Sequence, residues 1–261
     1  MNTTDLIALL SLVASLLAFF RPEVSKALIK ALGGIDFYPS ERIEIGYGTF
    51  GPTIAIPGTM RSKYGTVFIR SISLQLTRCQ DRSTHAFAWK AFRKQNFMDQ
   101  TKTEIDLATA ISVGEFEERR LDVVYADNAT LALISPGVLK LRSELAAACN
   151  AKWGTAPDVT SKEFQDFTDA FRGGQNPMAL GAFAKIQKEN YWQEGSYELR
   201  VDFFVDSRRR PASRSYTFEL DAEQEAQLGL NAVKIIDEAL FKTGVIYNFA
   251  YPFLNAPQRI A

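Results

Sequence analysis

Few residues of this chain have types and spacings suited to catalysis. His85 is the only histidine, so a catalytic triad would have to use it and a site with several histidines is excluded. Neither Cys79 nor Cys149 lies in a motif of known thiol enzymes, and no serine lies in a nucleophile elbow. The two cysteines also lack the close spacing of a zinc site or a disulfide framework. We therefore expect a surface or loop histidine and two free thiols, which favour a reducing compartment.

Paired carboxylates are a second candidate for chemistry, because two of them can divide acid and base roles. Glu115, Glu117 and Glu118 lie close together, with Asp106 and Asp122 nearby. Alternating carboxylates on a half-exposed strand usually form its solvated face. We expect that role here.

Gly46 to Gly51 superficially resembles a phosphate-binding loop. It lacks the lysine that follows such loops and does not lead into a helix, so a strand connection is the better interpretation. No other set of residues in the sequence has the types and spacing for catalysis, cofactor binding or metal binding. The sequence predicts a protein that is not an enzyme and has no cofactor.

Charge bears on the choice of partner. The 261 residues contain 30 basic and 30 acidic side chains, which makes nucleic acid an unlikely partner. One dense basic cluster stands out, formed by Arg208, Arg209, Arg210 and Arg214 on a predicted hairpin turn. Such a cluster can contact anionic lipid or another anionic partner, or can simply be solvated.

The N-terminus of the chain contains one long apolar segment. Leu6 to Phe20 has no charge, glycine or proline. It could be a short membrane span, a buried helix or the apolar part of a signal peptide. The flanking residues, MNTTD before and FFRP around its end, do not suit a signal peptide, and the segment has no polar stripe. We expect a single transmembrane helix.

Charge also predicts the orientation of this span. Arg21, Lys26 and Lys30 follow it, whereas only Asp5 and the α-amino group precede it. The positive-inside rule then places the N-terminus outside and the rest of the chain in the cytoplasm of a bacterial inner-membrane protein. The three basic residues are expected at the lipid headgroups, on an amphipathic segment that ends by residue 34.

Small residues recur along one face of the span. Ala8, Ser11, Ser15 and Ala18 have the spacing of a helix–helix seam, where small side chains let backbones approach and hydroxyls can bond across. The pattern predicts a homo-oligomer that associates through the N-terminal helix.

Residues 35–261 are expected to form one soluble domain, mainly β with α insertions. The predicted strands include IDFYP, TIAI, GSYELRVDFFV, SRSYTFEL and a long strand from Thr66 with a bulge at Arg70–Ser71. Residues 78–100 are ambiguous between helix and irregular edge, and two strands are predicted around Gly114. Helical patterns fill an insertion at about residues 130–193, and a last helix starts at a capping box of Asp221 and Gln224.

This layout resembles a loose set of bacterial single-pass proteins with a cytosolic immunoglobulin-like β-sandwich and no assigned function. The resemblance is carried by the uncharged span before Arg-Pro and by the segments IDFYPSERIEI, GPTIAI, GTVFIRSISLQL, SVGEFEERRLDVVY and WQEGSYELRVDFF. It implies an immunoglobulin-like β-sandwich behind a transmembrane helix, and it implies no activity or site residue.

Two functions follow as expectations. The first is a membrane-anchored, noncatalytic interaction or scaffold protein, an oligomeric subunit of a membrane-associated complex with an unknown protein partner. The alternative is a membrane-perturbing or pore-forming effector, for example in bacterial defence, whose spans assemble on activation.

Overall fold

The computed structural model describes residues 35–62, 65–95, 103–115, 117–154, 157–173, 176–206 and 210–255. The predicted span, the seam residues and the basic residues Arg21, Lys26, Lys30, Arg208 and Arg209 lie outside these ranges. Within them, every helix falls short of the length or the hydropathy that a bilayer crossing requires.

The fold is mainly β with added helices, as the sequence predicts. The strands are β1 (Ile35–Pro39), β2 (Glu44–Gly48), β3 (Gly51–Ser62), β4 (Val67–Arg78), β5 (Thr84–Gln95), β6 (Thr103–Leu107), β7 (Ile111–Val113), β8 (Glu118–Ala126), β9 (Gly195–Val205), β10 (Ala212–Leu220) and β11 (Phe249–Ala250). The helices are α1 (Asn128–Trp153), α2 (Lys162–Gly173), α3 (Pro177–Glu189), α4 (Ala222–Gly229) and α5 (Asn231–Ala239).

The described strands form one antiparallel sheet. Its order is β10-β9-β4-β5-β8-β3-β2-β11, with β1 on β3, β6 on β5 and β7 on β4. The sheet curls until its ends meet, since the backbones of Thr217 in β10 and Asn255 after β11 exchange hydrogen bonds of 2.9 and 2.8 Å. Phe37 in β1 packs against Phe203 in β9 with ring centroids 5.5 Å apart. Distant parts of the sheet thus face each other across the core.

Alternation along the strands produces that core, because successive side chains point to opposite faces. In β9, Tyr197, Leu199, Val201 and Phe203 are buried while the residues between them are partly or fully exposed. The predicted bulge is confirmed, since the register between β4 and β9 shifts between Ile69 and Ser71.

The helices pack against one part of the curled sheet. α1 and α3 contact each other, and α1 lies on β3 and β5. Two buried hydrogen bonds join the helical region to β2: Trp192 Nε1 donates to the Gly46 carbonyl at 3.1 Å, and the Tyr47 hydroxyl donates to the Ile186 carbonyl at 2.5 Å. The helical insertion is therefore anchored to the sheet at defined points.

Several local predictions are confirmed and others are revised. Asp221 and Gln224 form the predicted capping box, and β9 and β10 pair in antiparallel register as the predicted hairpin requires. The C-terminal tail pairs with β2 through β11. The ambiguous segment, residues 78–100, contains strand β5 in its described part. The last helix is not continuous, because it breaks at Leu230 into α4 and α5.

The predictions for the two glycine-containing regions, Gly46 to Gly51 and the segments around Gly114, can now be compared with the structure. The strand connection at Gly46 to Gly51 is a tight hairpin closed by the pair Gly48 and Gly51, and Gly51 adopts a φ of 75° that favours glycine. Around Gly114 the structure has three strands where two are predicted, because the segment before Gly114 forms both β6 and β7. β6, β7 and β8 pair with β5, β4 and β3 respectively, and β8 also pairs with β5.

Candidate partner-binding groove

A cleft of about 940 Å³ lies on the outer face of the sheet, where β2, β3, β8 and β5 run side by side. Pro57 and Thr59 of β3 form part of its floor, whereas the larger Ile56 of the same strand is buried in the core. The volume is in the range of small-molecule and peptide sites. We call it the basic cleft, for the arginines described below.

An ion-paired arginine crosses this floor. Arg93 in β5 donates from Nε to Asp122 Oδ2 at 2.6 Å and from Nη1 to Glu44 Oε1 at 2.7 Å. The three side chains are only 13–21% exposed. Charge-assisted bonds at this burial fix the guanidinium in place, so Arg93 is a rigid part of the wall rather than a free cation.

Two other arginines line the basic cleft and are free to bind. Arg42 and Arg120 have no carboxylate within 4.0 Å among the residues that the structure describes. Tyr38 and Tyr251 stand beside them, 56% and 48% exposed. Burial, the nearby Glu44 carboxylate and a hydrogen bond to that carboxylate raise the pKa of Tyr251.

A second cleft, of about 580 Å³, adjoins the first and has the opposite charge. Glu194, Glu219 and Asp221 line it. Asp221 Oδ1 accepts the backbone N–H of Gln224 at the start of α4, and Glu219 Oε1 accepts from the Ser196 hydroxyl at 3.1 Å. Arg42 also lines this cleft, and because three carboxylates face one guanidinium among the lining residues, the net charge of the cleft is negative. We call this the acidic cleft.

The two clefts share a ridge made of Arg42 and Tyr251. The Arg42 guanidinium lies 4.2 Å from the ring centroid of Phe253, a cation–π contact. Backbone pairing holds the ridge, since Ile43 N–H donates to the Pro252 carbonyl at 3.2 Å and Leu254 N–H donates to the Glu41 carbonyl at 2.8 Å. The clefts and ridge together form one groove, positive at one end and negative at the other.

His85 differs from the expected surface or loop histidine. It lies in β5, its ring stacks on Tyr191 with centroids 3.6 Å apart, and its Nδ1 is 3.7 Å from Asp127 Oδ2. Asp127 is the N-cap of α1 and accepts the N–H groups of Ala129 and Thr130. The cluster therefore holds the start of α1 on the sheet, which is a structural role.

The charge on Asp127 is stabilised by this arrangement. Burial opposes ionisation, but the interactions with His85, the Thr130 hydroxyl at 2.8 Å and the capped N–H groups outweigh it and lower the pKa of Asp127 to about 2. The sequence analysis missed Asp127 and Tyr191. Asp127 had a recognisable signal, because aspartate directly before a helical pattern is a preferred N-cap.

The basic cluster predicted from the sequence is divided by the fold. Arg210 is exposed at the hairpin, whereas Arg214 donates from Nη2 to the Ile35 carbonyl at 2.9 Å and lies 3.3 Å from Asp36 Oδ1. Arg214 is thus half-buried and bound to the first residues of β1. This contact places the base of the hairpin beside the point where the N-terminal segment joins the domain.

The five carboxylates and two cysteines that the sequence offered as candidates for chemistry do not come together in one site within the described ranges. Glu117 accepts the N–H of Gly114 at 2.7 Å, Glu115 and Glu118 are exposed, and Asp122 alone of the five carboxylates lies in the basic cleft. Cys79 is exposed and Cys149 is buried, and both are free thiols. No group of three metal-ligating side chains occurs in the described part of the chain.

Comparison with known protein families, with characterised proteins and with solved structures finds no match for this chain.

Proposed function

We propose that this protein is a membrane-anchored, noncatalytic interaction or scaffold protein that binds a protein partner in the groove. The groove carries the proposal, because it combines exposed tyrosines, an exposed phenylalanine and unpaired arginines on a rigid sheet. Tyrosine, phenylalanine and arginine are enriched in protein interfaces, where tyrosine and arginine often dominate the binding energy.

The proposal includes an N-terminal transmembrane helix before an immunoglobulin-like β-sandwich, as in the bacterial proteins that the sequence resembles. The motivation for the anchor is the uncharged run Leu6 to Phe20 with Arg21, Lys26 and Lys30 after it. The domain is then cytoplasmic and close to the inner membrane, with lipid and a partner protein both within reach.

Photocrosslinking tests the interaction role. A photoreactive phenylalanine analogue replaces Tyr38 or Tyr251 in the full chain, in cells, and the control position is the exposed Leu139 on α1. We expect a discrete protein adduct from both groove positions and none from Leu139. The same adduct pattern at Leu139, or no adduct from the groove, would argue against the groove as the partner site.

Reporter fusions test the anchor and its orientation. A reporter active only in the cytoplasm and one active only in the periplasm are joined to Ala261. We expect activity from the cytoplasmic reporter and recovery of the full chain in the membrane fraction. Activity of the periplasmic reporter alone would reverse the topology, and recovery in the soluble fraction would remove the span.

The alternative of a pore-forming effector depends on the seam of Ala8, Ser11, Ser15 and Ala18. Replacing Ser11 and Ser15 together by leucine removes both hydroxyls and widens the seam, so we expect weaker self-association in membranes. The control changes Leu12 and Leu16 to isoleucine. Bilayer conductance that disappears with the serine replacements would favour the effector, whereas association without conductance favours the scaffold.

A further inference from the structure

We propose that the groove takes an extended peptide segment of the partner that is charge-bipolar, with acidic side chains at one end and basic side chains at the other. This inference rests on the proposed function and adds the chemistry of the partner. It is motivated by the opposite charge of two clefts that meet at one ridge.

The basic cleft provides the site for the acidic end. Glu44 and Asp122 together exceed the charge of Arg93 by one negative charge, so Arg42 and Arg120 are the cations available to a ligand carboxylate and they make the net charge of the cleft positive. A guanidinium donates two parallel hydrogen bonds to a carboxylate, which gives both affinity and orientation. The hydroxyls of Tyr38 and Tyr251 at the same rim already donate to Asp36 and Glu44, so the two guanidinium groups supply the donors for the ligand.

The acidic cleft provides the site for the basic end. Glu194 and Glu219 lie beyond the ridge from Arg120, and neither carboxylate has a lysine or arginine within 4.0 Å in the part of the chain that the structure describes. The nearby Arg78 donates from Nη2 to the Glu194 backbone carbonyl, at 3.2 Å. Asp221 adds a third negative charge while it caps α4. Lysine or arginine side chains of a ligand supply the missing positive charge.

This charge pattern disfavours the other classes of partner. A nucleic acid or an anionic lipid surface gains at Arg42 and Arg120 but meets the three carboxylates of the acidic cleft, where like charges repel. A polycation is attracted by the acidic cleft but repelled by Arg42 and Arg120. A segment with both signs is attracted at both ends, and an extended peptide of ten residues covers roughly 33 Å, enough to cross the ridge.

Fluorescence anisotropy with labelled synthetic peptides tests the inference on the full chain in detergent. The probe is a lysine block, a glycine–serine spacer and a glutamate block, made in both orders. Peptides of the same composition with alternating lysine and glutamate are the control, together with all-lysine and all-glutamate peptides. We expect one block order to bind about tenfold more tightly than the alternating peptide, an advantage of roughly 1.4 kcal/mol.

Charge-reversal variants connect the binding to the groove. We expect Arg42→Glu with Arg120→Glu to abolish the preference for the block peptide, and Glu194→Lys with Glu219→Lys to do the same. The matched control for the arginine pair is Lys140→Glu with Lys188→Glu on α1 and α3, which changes the net charge by the same amount and in the same direction and lies away from both clefts. Thermal unfolding of each variant confirms that it is folded, and if the arginine pair does not fold, the glutamate pair decides alone.

Several outcomes overturn the inference. They are equal binding of block and alternating peptides, tightest binding of a single-sign peptide, no binding at all, and an equal effect of the lysine control. The photocrosslinking experiment keeps the two proposals apart. If a protein adduct forms at Tyr38 while no block peptide binds, the groove is a partner site and the bipolar chemistry is wrong.

Discussion

Arg93 Nε lies 2.6 Å from Asp122 Oδ2 on the neighbouring strand β8, and the same guanidinium lies 2.7 Å from Glu44 Oε1 in β2, beyond β8 and β3. One cation therefore compensates two partly buried carboxylates on three strands. This contact joins β5, β8 and β2 on the face that carries the groove. The ion pairs on the floor of the basic cleft therefore also stabilise the sheet.

Arg93→Ala is expected to destabilise the domain. The change leaves Glu44 and Asp122 partly buried without their cation, and loss of one partner of such a pair costs on the order of 3 kcal/mol. The free energy of unfolding from urea titration measures the effect. Arg70→Ala is the control, because Arg70 and its partner Asp206 are both more than half exposed, and an exposed pair contributes less than about 1 kcal/mol. Equal effects of the two changes would show that Arg93 has no special role.

Stability is expected to fall in acid because of Asp127. Its pKa is about 2 in the folded domain against an ordinary value of 3.8, so the folded state binds the proton less tightly than the unfolded state. The contribution is complete above about pH 4 and is lost as pH falls towards 2. The shift corresponds to about 2 kcal/mol at neutral pH.

Asp127→Asn tests this prediction. Asparagine keeps a side-chain oxygen for the cap of α1 but cannot ionise. We expect the variant to be less stable at pH 7 and to approach the wild type near pH 2, as measured by urea unfolding across pH. A stability difference that does not change with pH would contradict the assigned role of the carboxylate charge.

Gly58→Ala is expected to destabilise the core between β1 and β3. A Cβ at this position would lie 2.7 Å from a Phe37 ring carbon and 2.8 Å from the Tyr38 carbonyl oxygen, closer than atoms pack. Overpacking of this kind costs about 1–3 kcal/mol. Gly181→Ala is the matched control. No atom lies within 4 Å of its Cβ position, and in the middle of α3 alanine should stabilise by about 0.5–1 kcal/mol. Opposite signs in thermal unfolding are the expected result.

Sequence patterns predicted much of the sheet because alternation reports directly on burial. In β9, Tyr197 and Phe203 mark one buried face, and the strand has the predicted bounds Gly195–Val205. The capping box at Asp221 was equally local. β5 remained ambiguous because its alternation is broken by the register shift between Trp89 and Ala91. The break at Leu230 did have a local signal, because Gly229 directly precedes it. The apolar side formed by Leu228, Val233, Ile236 and Leu240 nevertheless predicted one continuous helix.

The groove was not predictable because its members are distant in sequence. Arg42 and Phe253 are 211 positions apart and meet only when the C-terminal segment pairs beside β2. The ion pairs of Arg93 likewise depend on strand order, which periodicity does not determine. Sequence reasoning instead singled out Arg208–Arg210 and Arg214, whose density is visible locally, and Arg214 is bound to β1.

The domain is expected to fold without residues 1–32. Its buried cluster begins at Ile35, which is 2% exposed and pairs with Ser62 at the end of β3. A chain that starts at Gly33 keeps the new α-amino group away from this buried side chain. The two hydrogen bonds that close the sheet join Thr217 to Asn255, so both of their partners remain in the shortened chain. We expect a soluble monomer with one cooperative urea transition and an intensity change from buried Trp192.

The matched comparison is a chain that starts at Tyr38 and so lacks most of β1. It loses Ile35 and Phe37, the ring of which packs on Phe203, and we expect it to be strongly destabilised or unfolded. If the chain from Gly33 instead aggregates without a cooperative transition, Leu6 to Phe20 belongs to the core of the domain. The segment is then a buried helix rather than a membrane anchor, and the proposed position of the groove beside the membrane fails with it.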